Sequence, residues 1–163
     1  MARKAFYSFH YIPDSWRAST IRNIGVIEGN QSVSDNEWES ITRGGDSAIK
    51  SWIAQEMKGK SCVIVLIGSG TANRKWINHE IVKGWNDGKG VVGVHIHNIL
   101  DKQLKHAVKG VNPFDYISYG KDRLSSVVRA YDPPYYDSKD AYGYISANIE
   151  AWVEEAIAIR TRH

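Results

Sequence analysis

Ser61 to Trp85 reads SCVIVLIGSGTANRKWINHEIVKGW, and this stretch decides the fold. Cys62 to Ile67 is an unbroken, β-branched apolar run that stops at Gly68-Ser69-Gly70. A run so short and so apolar reads as a strand buried on both faces. After the polar turn Thr71-Ala72-Asn73 the period changes. At 100° per residue, Trp76, Ile77, Ile81, Gly84 and Trp85 share one side of a helix. Asn78, His79, Lys83 and Asn86 fill the other, with Val82 the exception. Glu80 falls inside the apolar arc, between Trp76 and Gly84. A carboxylate on the inner side of a helix, one turn after a tryptophan, needs a chemical reason.

Upstream, Lys4 to Phe9 is rich in β-formers and is expected as the first strand. Asp14 or Ser15 can cap a helix over Trp16 to Ile24, with Trp16, Ile21 and Ile24 turned inward. Gly25-Val26-Ile27 suits a short second strand at a sheet edge. Ser32 to Gly45 is polar, with Trp38 its main apolar residue, and reads as an irregular loop of the functional kind. Asp46 then caps a helix to Met57 that buries Ile49, Ile53 and Met57. Downstream, Val91 to Ile96 is a strand and Asp101 to Lys109 a short helix. The last strand is Asp115 to Tyr119 or Val127 to Tyr131. Asp137 or Ser138 opens a long helix to about Arg160, with Ile145, Ile149, Trp152, Val153 and Ala156 on one face. Strands alternating with helices imply an α/β domain with a mainly parallel sheet.

The 163 residues suit one domain, and a chain of this size hides roughly 70% of its unfolded surface. Net charge is only +3, and the 21 basic residues never form a run of five, so no nucleic-acid surface is expected. No apolar segment approaches the ~20 residues of a membrane span. The single cysteine, Cys62, cannot pair within the chain, which fits a reducing cytoplasm. The first residues enter a strand pattern too early for a signal peptide.

Ligands of open α/β sheets bind beyond the carboxyl ends of the strands. That places Ser8, Phe9, His10 and Tyr11 from the first strand beside Gly68, Ser69, Gly70 and Thr71 from the central one. Trp76 and Glu80 follow on the next helix, and the Glu28–Gly45 segment is positioned to cover them. The first strand lacks G-x-G-x-x-G, and Gly68-x-Gly70 lacks the Gly-Lys-Ser of a phosphate loop. Ser8-Phe9-His10 supplies none of the acids of a phosphate-accepting receiver. His95 and His97 share a strand face without a third ligand, so no metal is expected. For Glu80 two readings compete: a carboxylate at the helix boundary that pairs with Arg74 or Lys83 or reaches water, or a reactive carboxylate in a cleft walled by Trp76.

Trp76-Ile77-Asn78-His79-Glu80-Ile81, placed after the buried strand, resembles the W-x-x-x-E-[LI] motif of the TIR domain family. Phe6-Tyr7-Ser8-Phe9 resembles that family's first-strand signature. The element order agrees over most of the chain and is most similar to the bacterial TIR-like group that includes the TIR component of Thoeris anti-phage systems. Arg74-Lys75 depart from the small or hydroxylic residues that many TIR domains carry before the Trp. The loop after the second strand has no recognisable BB-loop signature. The resemblance implies a flavodoxin-like, three-layer domain with a five-stranded, mainly parallel sheet. It implies cleavage of NAD at the nicotinamide–ribose bond, with NAD as substrate and no cofactor. Glu80 would be the catalytic glutamate. Ser8, Phe9, His10, Gly68, Ser69 and Trp76 would contact the nucleotide. The product would be a cyclic ADP-ribose-type messenger, a diffusible nucleotide reaching a downstream effector, with self-association as a further property. A non-catalytic TIR-like adaptor is the alternative. There Glu80 is a structural ion pair, and Tyr131, Tyr135, Tyr136, Tyr142 and Tyr144 are interface candidates. A flavodoxin-like small-molecule binder is the third reading.

Overall fold

A computed structural model describes residues 3–30 and 33–163. The described elements begin with β1 (Ala5–Ser8), α1 (Tyr11–Arg22), α2 (Asp35–Arg43), α3 (Gly45–Met57), β2 (Cys62–Ile67), α4 (Lys75–Asn86) and β3 (Gly90–His95). They continue with β4 (Ser118–Tyr119), β5 (Asp122–Arg123), β6 (Ala130–Tyr131) and α5 (Ser138–Arg162). The main sheet runs β1-β2-β3-β6, parallel throughout, while β4 and β5 form a separate antiparallel pair. All six residues of β2 and of β3 are buried, as expected of central strands covered on both faces.

Alternation along the strands divides the core into two layers. Ala5, Tyr7, Cys62, Ile64, Leu66, Val92 and Val94 face α1 and α5. Phe6, Val63, Val65, Ile67 and Val91 face α3 and α4, where Ile49, Ile53, Met57, Ile77 and Ile81 meet them. On α5, Ile145, Ile149, Trp152, Val153 and Ala156 are all buried, and Asp137 caps its first turn by accepting from the Asp140 N–H.

Among the described residues the sheet has four strands, not the expected five. Gly25-Val26-Ile27 forms no strand. Its neighbour Glu28 makes one isolated bridge with Lys4, through Ala5 N–H to Glu28 O and Glu28 N–H to Arg3 O, both 2.9 Å. Beyond that bridge a side chain replaces the ladder: the Tyr7 N–H donates to Asn30 Oδ1 at 2.8 Å. The guanidinium of Arg22 holds the Asn30 carbonyl in turn. The Asn30 amide thus gives the Tyr7 N–H the acceptor that a neighbouring strand would supply.

Three other expectations are corrected. The first helix starts at Tyr11, five residues before Trp16, so its inward face is Asp14, Arg17, Ala18 and Ile21, leaving Trp16 51% exposed and Ile24 half-buried. The segment expected as a loop is helix α2 in its described part, with Ser34 as N-cap accepting from the Glu37 N–H at 3.2 Å; Ser32 lies outside the described residues. Its neighbour α3 starts from Gly44 without a side-chain cap, Asp46 lying in the first turn. Asp101 to Lys109 is not a helix. Asp101 Oδ1 accepts from the N–H groups of Gln103 and Lys105, both at 2.9 Å, and Leu104 sits at φ 60°. That is turn geometry. Of the two candidates for the last strand, the later supplies it, at Ala130–Tyr131.

Candidate active site

A cleft of ≈ 370 Å³ opens at the carboxyl end of β1, between the start of α1, α2 and the first turns of α4. That volume lies in the range of small-molecule sites. Phe9, His10 and Tyr11 come from the β1–α1 junction, Trp38 and Thr42 from α2, and Arg74 through Ile77 with Glu80 from the start of α4.

Glu80 occupies the floor. It is only 6% exposed, and the Ser8 hydroxyl donates to its Oε1 at 2.6 Å. The second carboxylate oxygen has no hydrogen-bond partner among the described residues. Neither cation considered from the sequence pairs with it. Arg74 donates to the Gly70 carbonyl at 2.5 Å, and Lys83 pairs with Asp87 at 2.9 Å. Burial without a counter-ion pushes the Glu80 carboxyl up to about 8, the Ser8 hydrogen bond pulling the other way. At neutral pH the unliganded site therefore holds mainly a protonated acid.

The walls are aromatic. Phe9 stacks on Tyr11 at 5.8 Å and Tyr11 on Trp38 at 5.1 Å, and Trp38 meets the edge of Trp52 at 5.6 Å. The Tyr11 hydroxyl donates to the Val33 carbonyl, tying α1 to the residue that precedes the α2 cap. Half-buried Trp76 lines the cleft, with Lys75 Nζ 4.9 Å from its ring centre. Such faces accept a planar heteroaromatic ring, and a cationic ring best. Burial, then the nearby Arg74, lowers the His10 imidazole below its ordinary range, so the ring is neutral.

The sequence-derived candidates are distributed unevenly. Phe9, His10, Trp76 and Glu80 line the cleft, and Ser8 lies beneath it, joined to Glu80. Gly68 and Ser69 are not in the lining. Gly68 is buried, its Cα packed against the carboxylate of Asp14, and Gly110 is pressed onto its carbonyl oxygen so closely that a side chain at position 110 would collide there. Ser69 is exposed. The chain from Ile99 to Gly110 thus covers the end of β2. Arg17 fastens it, donating to Ile99 O at 2.6 Å and Lys105 O at 2.9 Å. Ile12, Trp38, Thr42, Arg74 and Lys75 join the lining without having been candidates. For Trp38 a signal existed, a lone large aromatic in a polar segment already placed over the strand ends.

His95 and His97 are both buried, with ring centres 5.9 Å apart. Among the described residues no three His, Cys, Asp or Glu side chains are grouped to hold a metal. Among them, too, no helix is long and apolar enough to cross a membrane. Of the tyrosines offered as interface candidates, Tyr131 stacks on Trp152 at 4.4 Å and Tyr142 and Tyr144 pack against the core, leaving Tyr135 and Tyr136 exposed.

Comparison with known proteins places these residues in a family context. The family described as "Thoeris protein ThsB, TIR-like domain" matches residues 6–101, a range containing the whole cleft lining. A Bacillus cereus (strain MSX-D12) protein named "Putative cyclic ADP-D-ribose synthase ThsB1" is 38% identical over 125 residues. That match covers 73% of this chain and 65% of the relative, so the chain spans just under two thirds of the relative's length.

Proposed function

This chain belongs to the TIR-like domain family of the Thoeris protein ThsB, and we propose that it cleaves NAD at the nicotinamide–ribose bond to make a cyclic ADP-ribose-type signal in anti-phage defence. The observation that carries the reading is Glu80: a buried carboxyl with no counter-ion among the described residues, one oxygen held by Ser8, on the floor of an aromatic cleft. The relative's name, a cyclic ADP-D-ribose synthase, supports the same chemistry.

The mechanism follows from charge. The nicotinamide ring of NAD is cationic while bonded to the ribose and neutral once it leaves with the bonding electron pair. No general acid is needed, unlike the hydrolysis of an O-glycoside. A bound pyridinium favours ionisation of Glu80, so NAD binding expels the proton held in the empty site. The resulting carboxylate stabilises the oxocarbenium character that develops on the ribose as the C–N bond breaks. Attack by water at C1′ gives ADP-ribose and one proton. Attack at C1′ by a nucleophile of the same ADP-ribosyl group gives the cyclic product, also releasing one proton where the nucleophile carried it. Dryness of the cleft decides between them, and the aromatic walls favour cyclisation.

The test is incubation with NAD, with and without a phage-derived trigger, followed by mass spectrometry. Wild type is expected to release nicotinamide and Glu80→Gln to release almost none. Equal release by the two would end the assignment. The adaptor alternative rests on Glu80 as a structural ion pair, and among the described residues Glu80 makes none.

A further inference from the structure

We propose that Arg74, assisted by His10, is the diphosphate-binding element of this cleft, selecting an intact dinucleotide over nicotinamide nucleosides that lack phosphate. The inference rests on the NAD reading above and deepens it.

The cations around the cleft are not equivalent. Lys75 is matched by Asp46 on α3 at 2.5 Å, so its charge is offset. Arg74 has no acidic partner within ion-pair distance among the described residues. Of the nearby acids, Asp14 is taken by Arg17 at 3.8 Å and Glu80 by Ser8. Yet the Arg74 side chain does not wave freely. Its Nε donates to the Gly70 carbonyl at 2.5 Å, which fixes the guanidinium plane and leaves the Nη nitrogens for a ligand. A planar fork of this kind, held by one edge, suits phosphate oxygens.

A second polar nitrogen converges on the same spot. Where Gly70 lacks a side chain, the position of a Cβ is 3.4 Å from Arg74 Nη2 and 3.7 Å from His10 Nδ1. His10 Nδ1 is buried and has no hydrogen-bond partner among the described residues. In the tautomer protonated at Nδ1, the neutral ring donates to an anion. Arg74 is also the N-cap residue of α4, whose first turn carries no side-chain cap.

Spacing separates this corner from the reacting bond. Six residues of helix place Arg74 about 9 Å from Glu80 along the α4 axis. A ligand with its ribose at Glu80 reaches Arg74 only through a group attached beyond that sugar, which in NAD is the diphosphate. Loss of a charge-assisted hydrogen bond of this type is expected to weaken binding roughly 10- to 100-fold.

The experiment compares wild type, Arg74→Ala and Arg74→Lys. Initial rates are measured with NAD and with nicotinamide riboside, which has no phosphate, alongside tryptophan-fluorescence titration with ADP-ribose. The preference for NAD over the riboside is expected to fall roughly 10- to 100-fold in Arg74→Ala, mainly through KM. ADP-ribose should bind correspondingly more weakly, and Arg74→Lys should recover part of both. Wild type that cleaves NAD, together with an Arg74→Ala variant of unchanged preference and unchanged ADP-ribose affinity, would overturn the subsite and leave the Glu80 chemistry standing. Arg74-dependent ADP-ribose binding in a wild type that releases no nicotinamide would do the reverse.

Discussion

Replacing Glu80 with Gln should stabilise the protein, and increasingly so as pH rises. The ordinary glutamate carboxyl ionises at 4.5, and in the folded chain Glu80 is pushed up to about 8. Between those values the unfolded chain has lost the proton and the folded chain keeps it. Stability is thus greatest below 4.5 and declines as pH climbs toward 8, opposite in direction to a salt-bridged acid. Each pH unit in that window removes about 1.36 kcal/mol. By pH 7 the folded state has forfeited about 3 kcal/mol on account of this one group. A glutamine cannot ionise and still offers Ser8 an acceptor oxygen. The variant should match wild type near pH 4.5 and exceed it in Tm by roughly 6–12 °C at pH 7. The measurement is thermal unfolding of both proteins by circular dichroism across this range. Every other titrating group is common to the two, so the difference in Tm isolates Glu80. A difference that stays constant from acid to alkaline pH would refute the claim that Glu80 is an unpaired buried acid.

Three further outcomes follow from the geometry of the cleft and of the segment that Arg17 fastens. The kcat/KM for NAD should rise tenfold per pH unit up to about 8 and then level, because free enzyme must surrender the Glu80 proton, while kcat levels at lower pH because bound pyridinium favours the carboxylate. Ser8→Ala removes the hydrogen bond that favours ionisation. It should shift the kcat/KM limb toward alkaline pH, with about a tenfold loss at pH 7; an unmoved limb would detach Ser8 from the reaction. Arg17→Ala should destabilise the fold by about 3 kcal/mol in urea denaturation, since it strips Asp14 of its ion-pair partner and unfastens the 99–105 segment. A loss under about 1 kcal/mol would show that the segment holds by its own turns.

The parts of this fold that were legible in the sequence are those where hydrophobic period and structure coincide. β2 and α5 bury the residues their pattern marks, and α4 buries Ile77, Ile81 and Gly84 while Trp76 and Trp85 stay half-buried. Glu80 stood out because it broke such a pattern. What was hidden is polar. The inner face of α1 carries Asp14 and Arg17, an ion pair at 3.8 Å whose guanidinium also donates to the Ile99 and Lys105 carbonyls, so apolar periodicity pointed to Trp16 instead. Helix α2 has little buried surface beyond Ile41 and Trp38, and what organises it, the Ser34 cap and the Trp38 stack on Tyr11, leaves no period to read. The second strand failed because a single side chain did its work. Gly68 and Ser69 share the strand-end position, but a segment about forty residues downstream packs onto the Gly68 carbonyl and neither residue reaches the cleft lining. The same rule of strand ends points to Phe9 and His10, which do line it.

The substitution of Asn30 for a strand has a consequence for assembly. One rim of the sheet is plugged by an amide and an isolated bridge, and the opposite rim is a strand of two residues. Neither presents a ladder long enough for a foreign strand to extend it. A continuous sheet running from one copy to the next is therefore an arrangement these rims disfavour.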